Sequence, residues 1–155
     1  MTIHDPFMDF SATEGLDVEV VRIDDLIGRS DVITIHAPLT DHTQGMIGTE
    51  FLGGIKPGLV LVNSARGGLL DLDAAYAALC RDDGLSGLGL DVYDPEPPDV
   101  SHPLFSHPNV VFTPHVLGLS RNGWRNTFED VATGVIAVLS GERPPAVANP
   151  ELYPS

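Results

Sequence analysis

With 155 residues, 8 of them basic against 22 acidic for a formal charge of −14, the chain has the size of a single domain that buries a core without disulfides. Its long-range field repels nucleic acid and anionic lipid, so an anionic ligand must be held by local donors. The one cysteine, Cys80, excludes an internal disulfide framework and fits a reducing compartment, with the cytoplasm as the expected location; no segment approaches the length needed to span a bilayer, so a soluble protein without membrane partners is expected.

Short β-branched runs alternate with helical patterns along the chain. "VEVV" (18–21) is a brief candidate strand, and "DDLIGRS" (24–30) follows as a helix. "DVITIH" (31–36) reads as a strand, "GTEFLGGI" (48–55) as a helix and "GLVLVN" (58–63) as a second buried strand. In "DLDAAYAALCRDDG" (71–84), Asp71 is placed to cap a helix, Asp73 lies in its first turn, Gly84 follows its end, and Cys80 is expected as a small core side chain. "GLGLDV" (87–92) and "NVVFT" (109–113) complete the strands. From Ser120, Trp124, Phe128, Val131, Ala132, Val135, Ile136 and Leu139 recur at helical spacing, an apolar stripe expected in a core or an inter-domain face, with Gly141 and Pro144 marking its stop. Repeated strand-then-helix predicts an α/β fold: a Rossmann-like parallel sheet with helices on both faces, over residues 1–143, followed by an extended tail at 144–155.

In such sheets ligands sit outside the carboxyl ends of the strands. That rule collects His36 after "DVITI", "SARGG" after "LVLVN", Asp91 at the end of "GLGL" and His115 after "VVFTP". Arg66 can clamp a carboxylate through two parallel hydrogen bonds, with Gly67 and Gly68 permitting close backbone approach and open φ/ψ choices. A solvated arginine in a turn explains Arg66 equally well on the bare sequence. His115 carries a side chain that titrates near working pH and can act as general acid or base, and Glu96 in "DPEPPD" can accept a hydrogen bond from the imidazole and stabilise its charged form. Taken singly, each is an ordinary loop residue. Together they suit the reduction of a 2-oxo acid, with hydride supplied by a cofactor. His102, His107 and His115 show no helical i, i+4 pair, so no metal site is expected.

"HAPLTDHTQGMI", "LVNSARGGLLD", "GLGLDVYDPEPP" and "NVVFTPHVLGLS" follow one another in an order and spacing that resemble the D-isomer-specific 2-hydroxyacid dehydrogenases over about residues 3–150. "HDPF" near the start is most similar to the branch containing phosphoglycerate dehydrogenase and the C-terminal-binding-protein corepressors. The resemblance implies NAD as cofactor and a small 2-oxo or 2-hydroxy acid as substrate. It implies Arg66 as the carboxylate-binding residue, Glu96 as the histidine's partner and His115 as the acid/base. It also implies cofactor contacts from Asp5, through the adenosine ribose hydroxyls, from His36, Pro38 and Thr43 beside the cofactor, from Ala65 and Arg66 by the nicotinamide, from Asp91 at the carboxamide, and from His115 and Gly118.

Two features depart from the family pattern. The 155 residues contain no G-x-G-x-x-G phosphate loop, since "GLSGLG" (84–89) has its glycines in another order, and no N-terminal substrate domain. The chain is expected to start in the family's second strand; in the strand order 3-2-1-4-5-6, lack of strand 1 removes the middle of the sheet and leaves two open edges. As a C-terminal portion of the enzyme it is expected to bind NAD weakly and turn over little alone. The alternatives are a non-catalytic, NAD-responsive binding module like the corepressor branch, or one half of a split enzyme whose partner is the missing N-terminal half or a homodimer mate.

Overall fold

The structure, a computed structural model, describes residues 1–153, apart from the side chains of Phe10 and Ala12. Two units are distinct, residues 1–115 and 116–153, the described part of the second. In the first, β1 (Thr2–Ile3) pairs in parallel with β2 (Glu19–Val20). After α1 (Ile23–Arg29), the strands β3 (Val32–Ile35), β4 (Leu59–Asn63), β5 (Leu85–Leu90) and β6 (Val110–Phe112) form a separate four-stranded parallel sheet in sequential order. The strand pairs 1–2 and 3–6 therefore do not hydrogen-bond to each other, which leaves the open edges expected from the strand count.

Register explains where the core lies. Ile33, Leu61, Leu88 and Val110 stand in one row across the sheet, and Ile35, Asn63, Leu90 and Phe112 in the next. Because strand side chains alternate between faces, both rows point the same way. They meet Ile27 of α1, Phe51 and Leu52 of α2 (Thr49–Gly53), and Ala75, Ala78 and Leu79 of α3 (Leu72–Leu79) in one apolar cluster. The intervening positions face the other way, and at the two edges Val32 and Val111 are 60% and 69% exposed. Of the glycines of "GLSGLG", Gly84 precedes β5, and Gly87 and Gly89 fall inside it, beside Val60 and Val62 on that second face.

Local signals account for the start of α3 and for both ends of the long helix Arg121–Leu139, whereas α1 and α2 start without a side-chain cap. Asp71 accepts a hydrogen bond from the Ala74 amide at 3.0 Å and caps α3 as expected. Asp71→Ala should cost about 1 kcal/mol, the usual worth of an N-cap, measurable as a lower urea midpoint. Gly84 is needed for space: a Cβ there would lie 1.8 Å from the Ala78 carbonyl oxygen. Cys80 departs from expectation, since it stands at the exposed C-cap of α3 rather than in the core.

The second unit holds α4 (Arg121–Leu139), capped by Ser120 and stopped at Gly141 with φ +74°. Its stripe, expected in a core or an inter-domain face, is exposed at Trp124, Phe128, Val131, Val135, Ile136 and Leu139, and Ala137 is the buried residue of the helix. A 40-residue unit around one long helix has too little chain to cover that face. The tail carries a short 3-10 turn, Pro150–Leu152, within its extended course. Among the described residues, no helix is long and apolar enough to cross a membrane.

Candidate active site

The four strands of the larger sheet end level with one another, at Ile35, Asn63, Leu90 and Phe112, so the residues that follow share one edge. At the first two ends an open cleft of about 680 Å³ is lined by His36, Pro38, Leu39, Ala65 and Arg66. Four residues named from the sequence thus border a single cavity. Arg66 is exposed and extended (φ −148°, ψ 140°), and its Nη1 donates to the Ala65 carbonyl at 2.6 Å. The turn that presents it is fixed from below. Asn63, fully buried, donates from its amide to the Arg66 carbonyl at 2.9 Å and accepts the Ala65 N–H at 3.1 Å.

Gly67 and Gly68 serve this turn by space alone. Neither has a positive φ, which corrects the expectation of special backbone conformations. A Cβ on Gly67 would lie 2.0 Å from the Tyr93 carbonyl carbon, and one on Gly68 3.0 Å from an Asp94 carboxylate oxygen.

At the last two ends stand Asp91, Glu96 and His115. Glu96 and His115 are joined by a 3.0 Å contact between Oε2 and Nδ1. Their side chains are 39% and 51% exposed, so the pair is open to solvent. His115 has φ +56°, a left-handed conformation that a non-glycine residue holds at a cost of roughly 1–3 kcal/mol. Asp91 is buried and accepts the Thr113 hydroxyl at 2.5 Å, so the polar end of an apolar strand is satisfied by the neighbouring strand end.

Hydrogen bonds from His115 and then from the Tyr93 amide hold the Glu96 carboxyl below the ordinary carboxylate range, against the nearby charge of Asp91. A carboxyl that binds its proton less tightly folded than unfolded stabilises the fold above its ordinary value, and that contribution fades as pH falls through the lowered one. Glu96→Gln should therefore flatten the acid limb of stability as pH falls through and below the ordinary carboxylate range. Urea midpoints across that range would show an unchanged limb if the pair contributes nothing.

Three further residues were expected as cofactor contacts. Asp5 is exposed two residues beyond β1, where its Oδ1 accepts the Phe7 amide at 2.8 Å. Thr43 closes the loop after His36, donating to the Pro38 carbonyl at 2.7 Å and accepting the Thr40 amide at 2.8 Å. Gly118 belongs to the second unit, where a Cβ would meet open space. Asn63, Tyr93 and Thr113 support the site without having been singled out. Asn63 had a signal, an amide ending the apolar run "LVLV"; Tyr93 and Thr113 gain their roles from contacts across strands.

The model of the D-isomer specific 2-hydroxyacid dehydrogenase, NAD binding domain, matches residues 1–116. A D-3-phosphoglycerate dehydrogenase from Archaeoglobus fulgidus is 37% identical over 138 residues, which cover 89% of this chain and 26% of that protein. A glyoxylate reductase from Thermofilum pendens is 38% identical over 136 residues, covering 88% of this chain and 40% of its own length. The crystal structure of D-lactate dehydrogenase with NAD+ from Lactobacillus jensenii superposes with a TM-score of 0.85 at 27% identity, covering 95% of this chain and 47% of the other. The chain thus spans less than half the length of each of these relatives. With three quarters of its residues matched by the family model, the chain belongs to the D-isomer-specific 2-hydroxyacid dehydrogenases, in the part that forms their NAD-binding domain.

Proposed function

We propose that this chain carries the carboxylate clamp and the proton donor of an NAD-dependent enzyme that interconverts 2-oxo acids and D-2-hydroxy acids. The observation that carries the reading is the Glu96–His115 contact of 3.0 Å on the same edge of the sheet as the cleft lined by Arg66. The residues present fit a nicotinamide: His36, Pro38 and Ala65 offer a partly apolar wall, and buried Asp91 offers a carboxylate acceptor at the next strand end on the same edge of the sheet. NAD, when bound, supplies or accepts the hydride.

The chain's own residues do the rest. Arg66 holds the substrate carboxylate with its guanidinium fork, which lysine cannot reproduce. Since Nδ1 of His115 is engaged by Glu96, proton transfer to the keto oxygen falls to Nε2, and the carboxylate stabilises the imidazolium before the proton leaves. Asp5, Thr43 and Gly118 are proposed cofactor contacts on the family pattern alone. Residues 1–143 are proposed as the cofactor-binding part, with 144–155 as its tail.

Without a glycine-rich loop among its 155 residues to hold the pyrophosphate, we propose that this chain alone binds NAD weakly and turns over slowly. Titrating the 155-residue chain with NAD and then glyoxylate, followed by amide and arginine side-chain NMR, tests this. NAD should shift His36, Ala65 and Asp91, and glyoxylate should then shift Arg66 and His115. A response to NAD with none to glyoxylate would favour the binding-module alternative, and no response to either would defeat the reading.

A further inference from the structure

Two groups of the site come from different loops, Arg66 from the turn after β4 and the Glu96–His115 pair from the loops after β5 and β6. Reduction of a bound acid needs both at one separation, because a misplacement of about 1 Å can cost 10²-fold in rate. One residue touches the supports of both. The backbone of Gly67, next to Arg66, lies so close to the Tyr93–Asp94 peptide that a Cβ would stand 2.0 Å from the Tyr93 carbonyl carbon, 2.1 Å from its oxygen and 2.6 Å from the Asp94 nitrogen. From the same residue, the Tyr93 amide donates to Glu96 Oε1 at 2.9 Å, while Oε2 of that carboxylate holds His115. The Tyr93 hydroxyl lies 2.8 Å from the carbonyl oxygen of Thr113, two residues before His115, and 3.2 Å from that of Leu90. Its ring packs at 5.9 Å on Phe105, which stacks at 4.7 Å on Phe112 of β6.

We infer that Tyr93, with the bare backbone of Gly67 pressed against it, is a positioning residue that sets the distance and orientation between the Arg66 turn and the Glu96–His115 pair. The turn is thus held at two points, by the bonds of Asn63 to the Arg66 carbonyl and the Ala65 N–H and by the Tyr93 peptide against Gly67. Burial pushes the phenol above its ordinary value, and so does the charge of Asp91, so the hydroxyl remains a donor to Thr113 throughout the working range. The meaning given to this distance rests on the proposed hydride transfer; the coupling itself does not, and it is measured without substrate or nucleotide.

The test is a pH titration of the 155-residue chain by NMR, reading the Glu96 carboxyl carbon and the Tyr93 amide in the parent, in Gly67→Ala, in Tyr93→Phe and in Gly28→Ala. In the parent, the Tyr93 amide follows the titration of the carboxylate that accepts its hydrogen bond. In Gly67→Ala the added methyl forces the Tyr93 peptide away. The Glu96 midpoint then rises toward the ordinary carboxylate range, and the pH-dependent excursion of the amide falls by about half or more as the hydrogen bond lengthens. Tyr93→Phe, which keeps the ring and loses the tie to Thr113, moves both signals in the same direction by less. Gly28→Ala, whose methyl meets open space in α1, leaves them where they were.

A purely structural role for Gly67 lowers the melting temperature and leaves the Glu96 titration unmoved. A folded Gly67→Ala variant with parent-like Glu96 and Tyr93 signals overturns the inference. So does an unmoved Tyr93→Phe if Gly67→Ala does not fold. Failure of the hydride-transfer reading is visible separately, as an Arg66 resonance that ignores glyoxylate while the Tyr93–Glu96 coupling stays intact.

Discussion

His115→Asn is expected to slow the NADH-dependent reduction of a 2-oxo acid by about 10²–10⁴-fold, the usual worth of a positioned general acid. Asparagine is the informative replacement because it tolerates the left-handed backbone that His115 adopts, so the loop keeps its course. Its amide can still reach Glu96, yet it carries no titratable proton. The measurement suited to a slow chain is single turnover, with protein in excess over NADH and the loss of nicotinamide absorbance followed after adding glyoxylate. Nucleotide affinity should change by less than about threefold, since the lost group acts on the substrate oxygen. A variant that oxidises NADH as fast as the parent would remove His115 from the chemistry.

The second large effect concerns stability. Leu61→Ala should destabilise the larger sheet by about 3 kcal/mol or more, because its side chain is fully buried in the row between Ile33 and Leu88 and its loss leaves a cavity that the strands cannot close. Val111→Ala removes apolar carbon from the opposite, open face and should cost less than about 1 kcal/mol. Chemical denaturation of both variants measures the contrast. Equal costs would mean that the second face is packed as tightly as the first.

Much of this was legible in the sequence for a physical reason. Parallel strands buried in a sheet read as unbroken apolar runs, so all four appeared in "VITI", "LVLV", "GLGL" and "VVF". The point where each run ends is the point where polar chemistry starts, and that placed Arg66, Asp91 and His115 at one edge. What resisted reading is set by contacts remote in sequence. Of the two reasons read for Gly67, close backbone approach holds and special φ/ψ does not, and the atoms it approaches could not be named from the sequence because they belong to Tyr93, 26 residues further on. Cys80 looked like core from its place in an alanine-rich helix, but the helix turns that position outward at its last turn. The stripe on α4 kept its helical period but is not core, which leaves the other expectation, an inter-domain face, since period reports the local fold and burial depends on what lies opposite.

The alignment of β4 also decides where Arg66 is displayed. Asn63 spends one donor and one acceptor on the Arg66 carbonyl and the Ala65 N–H, three and two residues along its own chain, so the turn travels with the strand as one piece. Sliding β4 by one residue against its neighbours would turn every side chain to the opposite face and take Leu59 and Leu61, both fully buried, out of the core. The apolar carbon those two leucines keep from water therefore sets the position along the sheet edge at which the turn stands.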